Sequence, residues 1–394
     1  MDFRFTDEEE AFRGELQSFL KQELPPDWDG MDDDEGSSER SRAFSRRMSK
    51  KLAEKGWLTM AWPREHGGQE RSIMEQLLYR EETAYQRVPG TDMGTGGVSW
   101  VGPTLMRYGT EEQKRHLQGI ANGDEYWCTL YSEPGAGSDL ASLQTKAVRD
   151  GDDYVINGSK TWTSGGHLAD MGWLAARTDA DAPKHKGISM FLLDMKTPGV
   201  TVRPLINMAG SHHFNEVFFD DVRIPQSERD GEENQGWYIL ATALDLERSG
   251  VHASAMGRRT LEELGAYVRQ SNGGAHELDR NPALRHRFAE MAVETSVARN
   301  LAYRVGWMQS RGLAPNYEAS VSKLYGSEFG QRLSGFAIDL LGLYGQIAPG
   351  SKWARLKGRI ERGYLGSVSA TIAAGTSEIM RTIIGTRGLG LPRG

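Results

Sequence analysis

Glu247 lies between Leu244 and Val251 on an apolar stripe that begins at Leu240, inside a stretch (236–270) whose spacing predicts one long helix. A carboxylate on a packing face must be paired, bound to a metal or used chemically, because burying it uncompensated is costly. Asp245 and Arg248 fall off the stripe and read as the exposed face. Two meanings stay open for Glu247: an ion pair with a neighbouring helix, or a general base whose basicity rises when it is desolvated beside a substrate.

Two further segments carry groups suited to a ligand. In Ser132-Glu133-Pro134-Gly135-Ala136-Gly137-Ser138-Asp139 the glycines free backbone amides for close approach, and Ser132 and Ser138 add hydroxyl donors. This is no Rossmann fingerprint, since no strand–turn–helix unit surrounds it, and Gly158-Ser159-Lys160-Thr161 is no phosphate-binding loop. Trp162, followed by Thr163-Ser164-Gly165-Gly166, sets a large ring beside open backbone, which suits either the edge of a flat cofactor or plain core. His212-His213 and the Asp150-Gly151-Asp152-Asp153 turn lack metal-ligand spacing, and the structural reading is preferred for both.

The elements that must position these groups follow from periodicity. The chain has 394 residues, enough for two or three domains. Thr6 and Glu9 fit a capping box ahead of Phe12, Leu16, Phe19 and Leu20; further helices are expected around Phe44–Leu52, 72–86 and 110–121. From about residue 126 short β-prone runs follow one another, with Asn157-Gly158 as the strongest hairpin signal, and they suggest a small barrel or sandwich. Helical period returns at Gly236. The expected architecture is α+β: an N-terminal α-helical domain (1–125), a middle β-barrel domain (126–235) and a C-terminal four-helix-bundle domain (236–394).

Composition narrows the function classes. Acidic residues (54) outnumber basic ones (47), which argues against binding driven by nucleic-acid phosphates. The single cysteine, Cys128, excludes a disulfide framework and cysteine-based zinc sites. No apolar run is long enough for a membrane span and no secretion signal is read, so a cytoplasmic protein is expected.

Taken together, the segments at 132–139 and 162–164, and Gly375-Thr376-Ser377-Glu378, resemble the motifs of the flavin-dependent acyl-CoA dehydrogenase family, in the same order and over essentially the whole chain. The resemblance implies α,β-dehydrogenation of an acyl-CoA thioester with FAD as cofactor, in fatty acid or steroid catabolism of the beta-oxidation kind. A base takes the proton α to the thioester carbonyl, and a hydride leaves the β carbon for the flavin. The carbonyl is polarised in part by a backbone N–H at the position matched by Ala374. Many members carry the base at that position too; alanine here removes it. The isovaleryl-CoA branch places it instead on the bundle helix, where its motif matches Asp245-Leu246-Glu247-Arg248, so the residue chosen by periodicity is also the one implied by resemblance. The same carry-over implies that Tyr131, Ser132, Gly137, Ser138, Trp162, Ser164, Thr376 and Glu378 contact FAD. It also implies that Ser138, Asp245, Arg248, Ala374 and Gly375 meet the substrate.

The departures from the family pattern concern the neighbouring subunit's grip on the cofactor. An Arg-x-x-Phe-Gly motif corresponds here to Ser271–Ala275, without arginine, and a Gln-x-x-Gly-Gly motif to Asp339–Leu343, with an acid in place of the amide. An acid facing a pyrophosphate is repulsive. This resembles actinobacterial heterotetramers that act on steroid side-chain thioesters, and it implies an α₂β₂ assembly with a second acyl-CoA dehydrogenase-like subunit. The alternative is a homo-oligomer using Arg269, Arg280 or another cation. An electron-transfer flavoprotein or similar acceptor is expected. The rival readings are a flavin oxidase or monooxygenase, and a non-catalytic subunit. Gly94–Ser99 falls where the family's acyl-pocket floor lies; its small residues suit a bulky or branched acyl group, or mark a helix break.

Overall fold

The computed structural model describes residues 4–30, 39–246, 249–270, 278 and 281–392, and all of their side chains except those of 244–246 and 270. The helices are α1 (Asp7–Glu23), α2 (Glu39–Glu54), α3 (Ile73–Tyr85), α4 (Gly102–Tyr108), α5 (Arg115–Ala121), α6 (Gly236–Leu246), α7 (Val251–Gln270), α8 (Pro282–Ser310), α9 (Tyr317–Leu341), α10 (Arg359–Ala370) and α11 (Ser377–Ile383). The strands are β1 (Trp127–Leu130), β2 (Lys146–Asp150), β3 (Asp153–Lys160), β4 (Met171–Arg177), β5 (Ile188–Asp194), β6 (Val200–Leu205), β7 (Phe214–Pro225) and β8 (Arg229–Asp230). The order of helices, then strands, then helices is the expected one. No helix among the described residues is long and apolar enough to cross a membrane.

The chain forms two compact units. The first holds α1, α3 and the helices from α7 onward. In α1 the capping box forms as expected: Thr6 Oγ1 accepts from the Glu9 N–H at 3.2 Å, and the Glu9 carboxylate accepts from the Thr6 N–H at 2.8 Å. Helices α7, α8, α9 and α10 pack around Leu264, Met291, Phe329, Leu333, Phe336 and Ile360. Inside this unit Glu81 of α3 is fully buried, yet it accepts from Arg13 at 3.0 Å, Arg299 Nη2 at 3.1 Å and the Tyr303 hydroxyl at 2.6 Å. Burial alone would raise its pKa; these donors outweigh burial and hold the carboxyl below the usual range.

The second unit carries α2, α4, α5, α6 and the sheet. Its core is built from the inward faces of the strands, with Cys128, Leu130, Tyr154, Ile156, Leu174, Phe191, Val217 and Phe219 at its centre. The expected barrel is not formed. The strands run β6-β7-β3-β2-β4-β5-β8, with β1 added parallel to β4, and the sheet is open. The reason lies in the ladders: β8 is two residues long, and β2 meets β4 through one register pair, Lys146 with Arg177. So few bonds cannot wrap a sheet onto itself.

The hairpin turn also moves. β3 runs straight through Asn157-Gly158, and the chain reverses instead between Asp150 and Asp153, with Gly151 at φ +63°. Asn157 spends its side chain across the sheet: its Nδ2 donates to Asp221 Oδ1 at 2.9 Å, and its Oδ1 accepts from the Asp221 N–H at 3.0 Å. The register shift between Ile156 and Gly158 makes this a β-bulge. The stretch read as one helix, 236–270, is two, because Gly250 (φ +71°) is left-handed and cannot continue a helix. Within Gly94–Ser99, a Cβ on Gly94 would lie 2.1 Å from the Trp127 carbonyl oxygen, so glycine there admits a close approach to β1, and left-handed Gly96 (φ +82°) precedes a helical turn at Gly97–Val101.

Asp230 of β8 is fully buried; Trp173 Nε1 donates to its Oδ2 at 2.9 Å, and Oδ1 has no partner among the described residues. Burial pushes its carboxyl up to about 6, and the single Trp173 donor does not offset that. An acid whose pKa is raised on folding stabilises the fold below its unfolded value and loses that contribution as pH rises through about 6. Asp230→Asn should therefore be more stable than the parent at pH 7.5 by on the order of 2–3 kcal/mol, with the gap closing near pH 4. Denaturant unfolding at the two pH values measures this, and an equal gap at both contradicts it.

Candidate functional site

The stretch after β1 is shaped by one buried ion pair. Glu133 lies inside the turn; its carboxylate accepts from the Gln144 N–H at 2.6 Å, the Thr145 N–H at 2.9 Å and Lys160 Nζ at 2.7 Å. Lys160, fully buried, also donates to the Tyr131 carbonyl at 3.0 Å. Burial pushes the lysine down to about 8, and it remains charged at neutral pH; its charge keeps Glu133 below the usual range against burial. Glu133 and Ala136 close the turn by exchanging two backbone bonds at 3.0 Å. It leaves Gly135, Gly137 and Ser138 exposed, and a Cβ on either glycine would meet nothing within 4 Å. Tyr131 turns inward, its ring edge-on to Trp173 at 5.8 Å, its hydroxyl buried without a partner among the described residues.

The second segment follows β3, and the Thr161 N–H bonds the Ser132 carbonyl at 2.9 Å, which ties the two together. Trp162 adopts φ +59°, a left-handed conformation that costs a bulky residue energy, and its side chain is 58% exposed, braced edge-on by Phe214 at 5.7 Å. It is not core. What holds the strain is Asn215, fully buried. Its backbone exchanges two bonds with Thr163 at 3.0 Å, and its Nδ2 donates to the Thr163 carbonyl at 3.0 Å and to His167 Nδ1 at 3.1 Å. Its Oδ1 accepts from His212 Nε2 at 2.9 Å, and the two imidazoles stack at 3.9 Å. Burial first, then the neighbouring His212, push His167 down to about 4, so it is neutral at physiological pH. Ser164 follows, partly buried, its carbonyl accepting from Thr95 Oγ1 at 3.2 Å.

In the other unit, the loop between α10 and α11 carries the third segment. Ala374 (φ +53°) and Gly375 (φ +91°) are both left-handed, and the Ala374 N–H has no acceptor among the described residues. Thr376 caps α11, its Oγ1 accepting from the Ile379 N–H at 3.2 Å, and Glu378 is exposed. Glu247 and Arg248 lie outside the described residues, as do Ser271–Ala275, and of Asp245 only the helical backbone is described. Asp339 is no free acid: Arg287 Nη1 donates to it at 2.8 Å.

Comparison with known proteins bears on these three segments at once. Residues 6–124 match the N-terminal domain of acyl-CoA dehydrogenases, 128–222 the middle domain and 234–389 the C-terminal domain. The chain belongs to the acyl-CoA dehydrogenase family. It is 35% identical over 404 residues to the acyl-CoA dehydrogenase FadE26 of Mycobacterium tuberculosis, covering 100% of this chain and 99% of that one. Among solved structures it resembles the steroid ACAD Tcur3481-Tcur3483 (TM-score 0.90, 37% identity, 100% of both chains). It also resembles the ChsE4-ChsE5 complex of Mycobacterium tuberculosis (TM-score 0.88, 35% identity, 100% of both chains).

Acyl-CoA dehydrogenases are flavoproteins, and the residues present fit such a cofactor. The exposed ring of Trp162 offers a flat wall, and the open glycines with Ser138 offer unblocked amides and a hydroxyl for an anionic group. Sequence reasoning missed Asn215 and His167 and set His212 aside for want of metal-ligand spacing; the three-residue spacing of His212 and Asn215 was the one local signal that joined them. Asn215→Ala should cost on the order of 2–3 kcal/mol, because both imidazoles lose their partner and the Thr163 carbonyl keeps only the backbone donor. Asn215→Asp should be less harmful at pH 5 than at pH 8, since a carboxylate favours protonated histidine donors. Chemical denaturation of both variants checks this; an Asn215→Ala variant as stable as the parent contradicts the role.

Proposed function

We propose that this chain is an FAD-dependent acyl-CoA dehydrogenase that desaturates the Cα–Cβ bond of a bulky or branched acyl thioester, with Glu247 as its base. The observation that carries the reading is the left-handed Ala374-Gly375 pair, where the Ala374 backbone N–H is left unspent at the position at which the family polarises the thioester carbonyl. The α proton of a thioester is weakly acidic, so the donor must already be in place when the base acts. Alanine at 374 cannot itself accept the proton, which leaves that task to Glu247. A bound flavin supplies the hydride acceptor. Tyr131, Ser132, Gly137, Ser138, Trp162, Ser164, Thr376 and Glu378 hold it. Ser138, Asp245, Arg248, Ala374 and Gly375 hold the thioester and its CoA moiety, with Arg248 suited to an anionic group.

The same reading divides the chain into domains at 1–125, 126–235 and 236–394, and places the enzyme in the cytoplasm with an electron-transfer flavoprotein as acceptor. For the assembly we propose α₂β₂ with a second acyl-CoA dehydrogenase-like subunit. Two observations support a partner: Asp339 is held by Arg287 and offers no amide, and Tyr364, Val368 and Ile372 form an exposed apolar row at helical spacing along and just beyond α10.

Glu247→Gln should retain flavin while the rate of flavin reduction by substrate falls by on the order of 10²–10⁴. Anaerobic rapid mixing reads this directly, and an unchanged rate removes Glu247 from the mechanism. Produced alone, the chain should hold well under one flavin per protomer, and co-production with the second subunit should raise the ratio. Full flavin in the lone chain excludes the heteromer.

A further inference from the structure

The loop that presents Ala374 is held by a side chain the mechanism has not used. Lys323, partly buried on α9, donates from Nζ to the Gly375 carbonyl at 2.5 Å and to the Ala370 carbonyl at 3.1 Å. These two acceptors bracket the segment that contains Ala374. Gln331, two turns further along α9, donates to the Ser367 carbonyl at 3.3 Å and to Thr371 Oγ1 at 3.0 Å, which fixes the start of the loop from the same helix.

The ammonium has no counter-ion of its own. Glu328 and Glu378 act on it through space, but each is within salt-bridge reach of Arg381, and no carboxylate among the described residues lies within 4 Å of Lys323. Desolvation lowers its pKa, as expected for a partly buried cation bonded only to neutral carbonyls. An ammonium used only to cap a loop could be replaced by water or an amide at little loss. One kept charged in a partly dry site, on the carbonyls that bracket the backbone donor, contributes positive potential to that loop, and such potential is stronger there than in water.

We propose that Lys323 is a positioning residue for thioester activation: it holds both ends of the Ala370–Gly375 segment, so fixing the aim of the Ala374 N–H, and it sets a positive charge without a carboxylate partner on the loop that carries that donor. This rests on the reading of Ala374 as the carbonyl's backbone donor.

Acetoacetyl-CoA is the probe, because its α carbon lies between two carbonyls and its enolate is followed by ultraviolet absorbance whether or not the enzyme turns over. Bound to the flavin-loaded wild-type assembly, its α proton should become more acidic than in free solution. Lys323→Met, similar in length but neutral and without donors, should lose about tenfold or more of that acidity gain while probe affinity changes less than about threefold. Lys323→Arg should recover the gain. Lys323→Gln, which keeps donors but not charge, should stay low and serves where the methionine variant folds poorly. Circular dichroism and flavin content establish that each variant is folded and loaded. A Lys323→Met or Lys323→Gln enzyme that acidifies the probe as the wild type does overturns the proposal. A wild type that leaves the probe's acidity unchanged overturns the dehydrogenase reading, and the proposal with it.

Discussion

A carbon–hydrogen bond next to a thioester carbonyl yields its proton only when the negative charge left behind has a prepared place to go. Donors that must swing into position as the charge forms lose most of their benefit to reorganisation, so a site for this chemistry needs fixed backbone amides and a dry surrounding. That requirement gives meaning to features that local propensity does not explain. Of the nine non-glycine residues in left-handed conformations among the described residues, Trp162 and Ala374 lie in the family-like segments, and each is flanked by backbone carbonyls held by a polar side chain from elsewhere in its unit. Strain of this kind persists only where the surroundings over-determine it.

The two holding devices differ in their physics. Asn215 works by saturation: its side chain is spent on the Thr163 carbonyl and two imidazoles in a fully buried place. Lys323 works by charge, spanning two carbonyls without a carboxylate beside it. Glu133 and Lys160 are a third kind, a buried pair that shapes the turn leading to Ser138 and is itself fully bonded. A buried pair of this sort gives shape more than stability, since desolvation offsets much of its attraction.

What could be read from the sequence was whatever depends on near neighbours. The capping box at Thr6 and Glu9, the order of helical and β-rich regions, and the open glycine turn at 134–137 all rest on residues a few positions apart. Apart from the helix break at Gly250, the misreadings share one cause, a dependence on distant residues. Asn157-Gly158 has the composition of a turn, but Asp221, sixty-four residues away, captures the Asn157 side chain and makes a bulge of it. The barrel failed because closure depends on the length of β8 and the β2–β4 register, neither of which periodicity reports. Asn215 and Lys323 were silent for the same reason: the backbone carbonyls they hold, of Thr163 and of Ala370 and Gly375, lie about 50 residues away along the chain.

The most direct test of the central claim is the mass of the product. The flavin-loaded assembly is mixed without oxygen with a CoA thioester of a branched or polycyclic acid, and the thioester is weighed by mass spectrometry as the oxidised-flavin absorbance is followed. The account predicts bleaching of the flavin in step with a thioester lighter by two hydrogen atoms. Bleaching without that loss, or a thioester that keeps both hydrogens and, once air is admitted, gains oxygen, would contradict it.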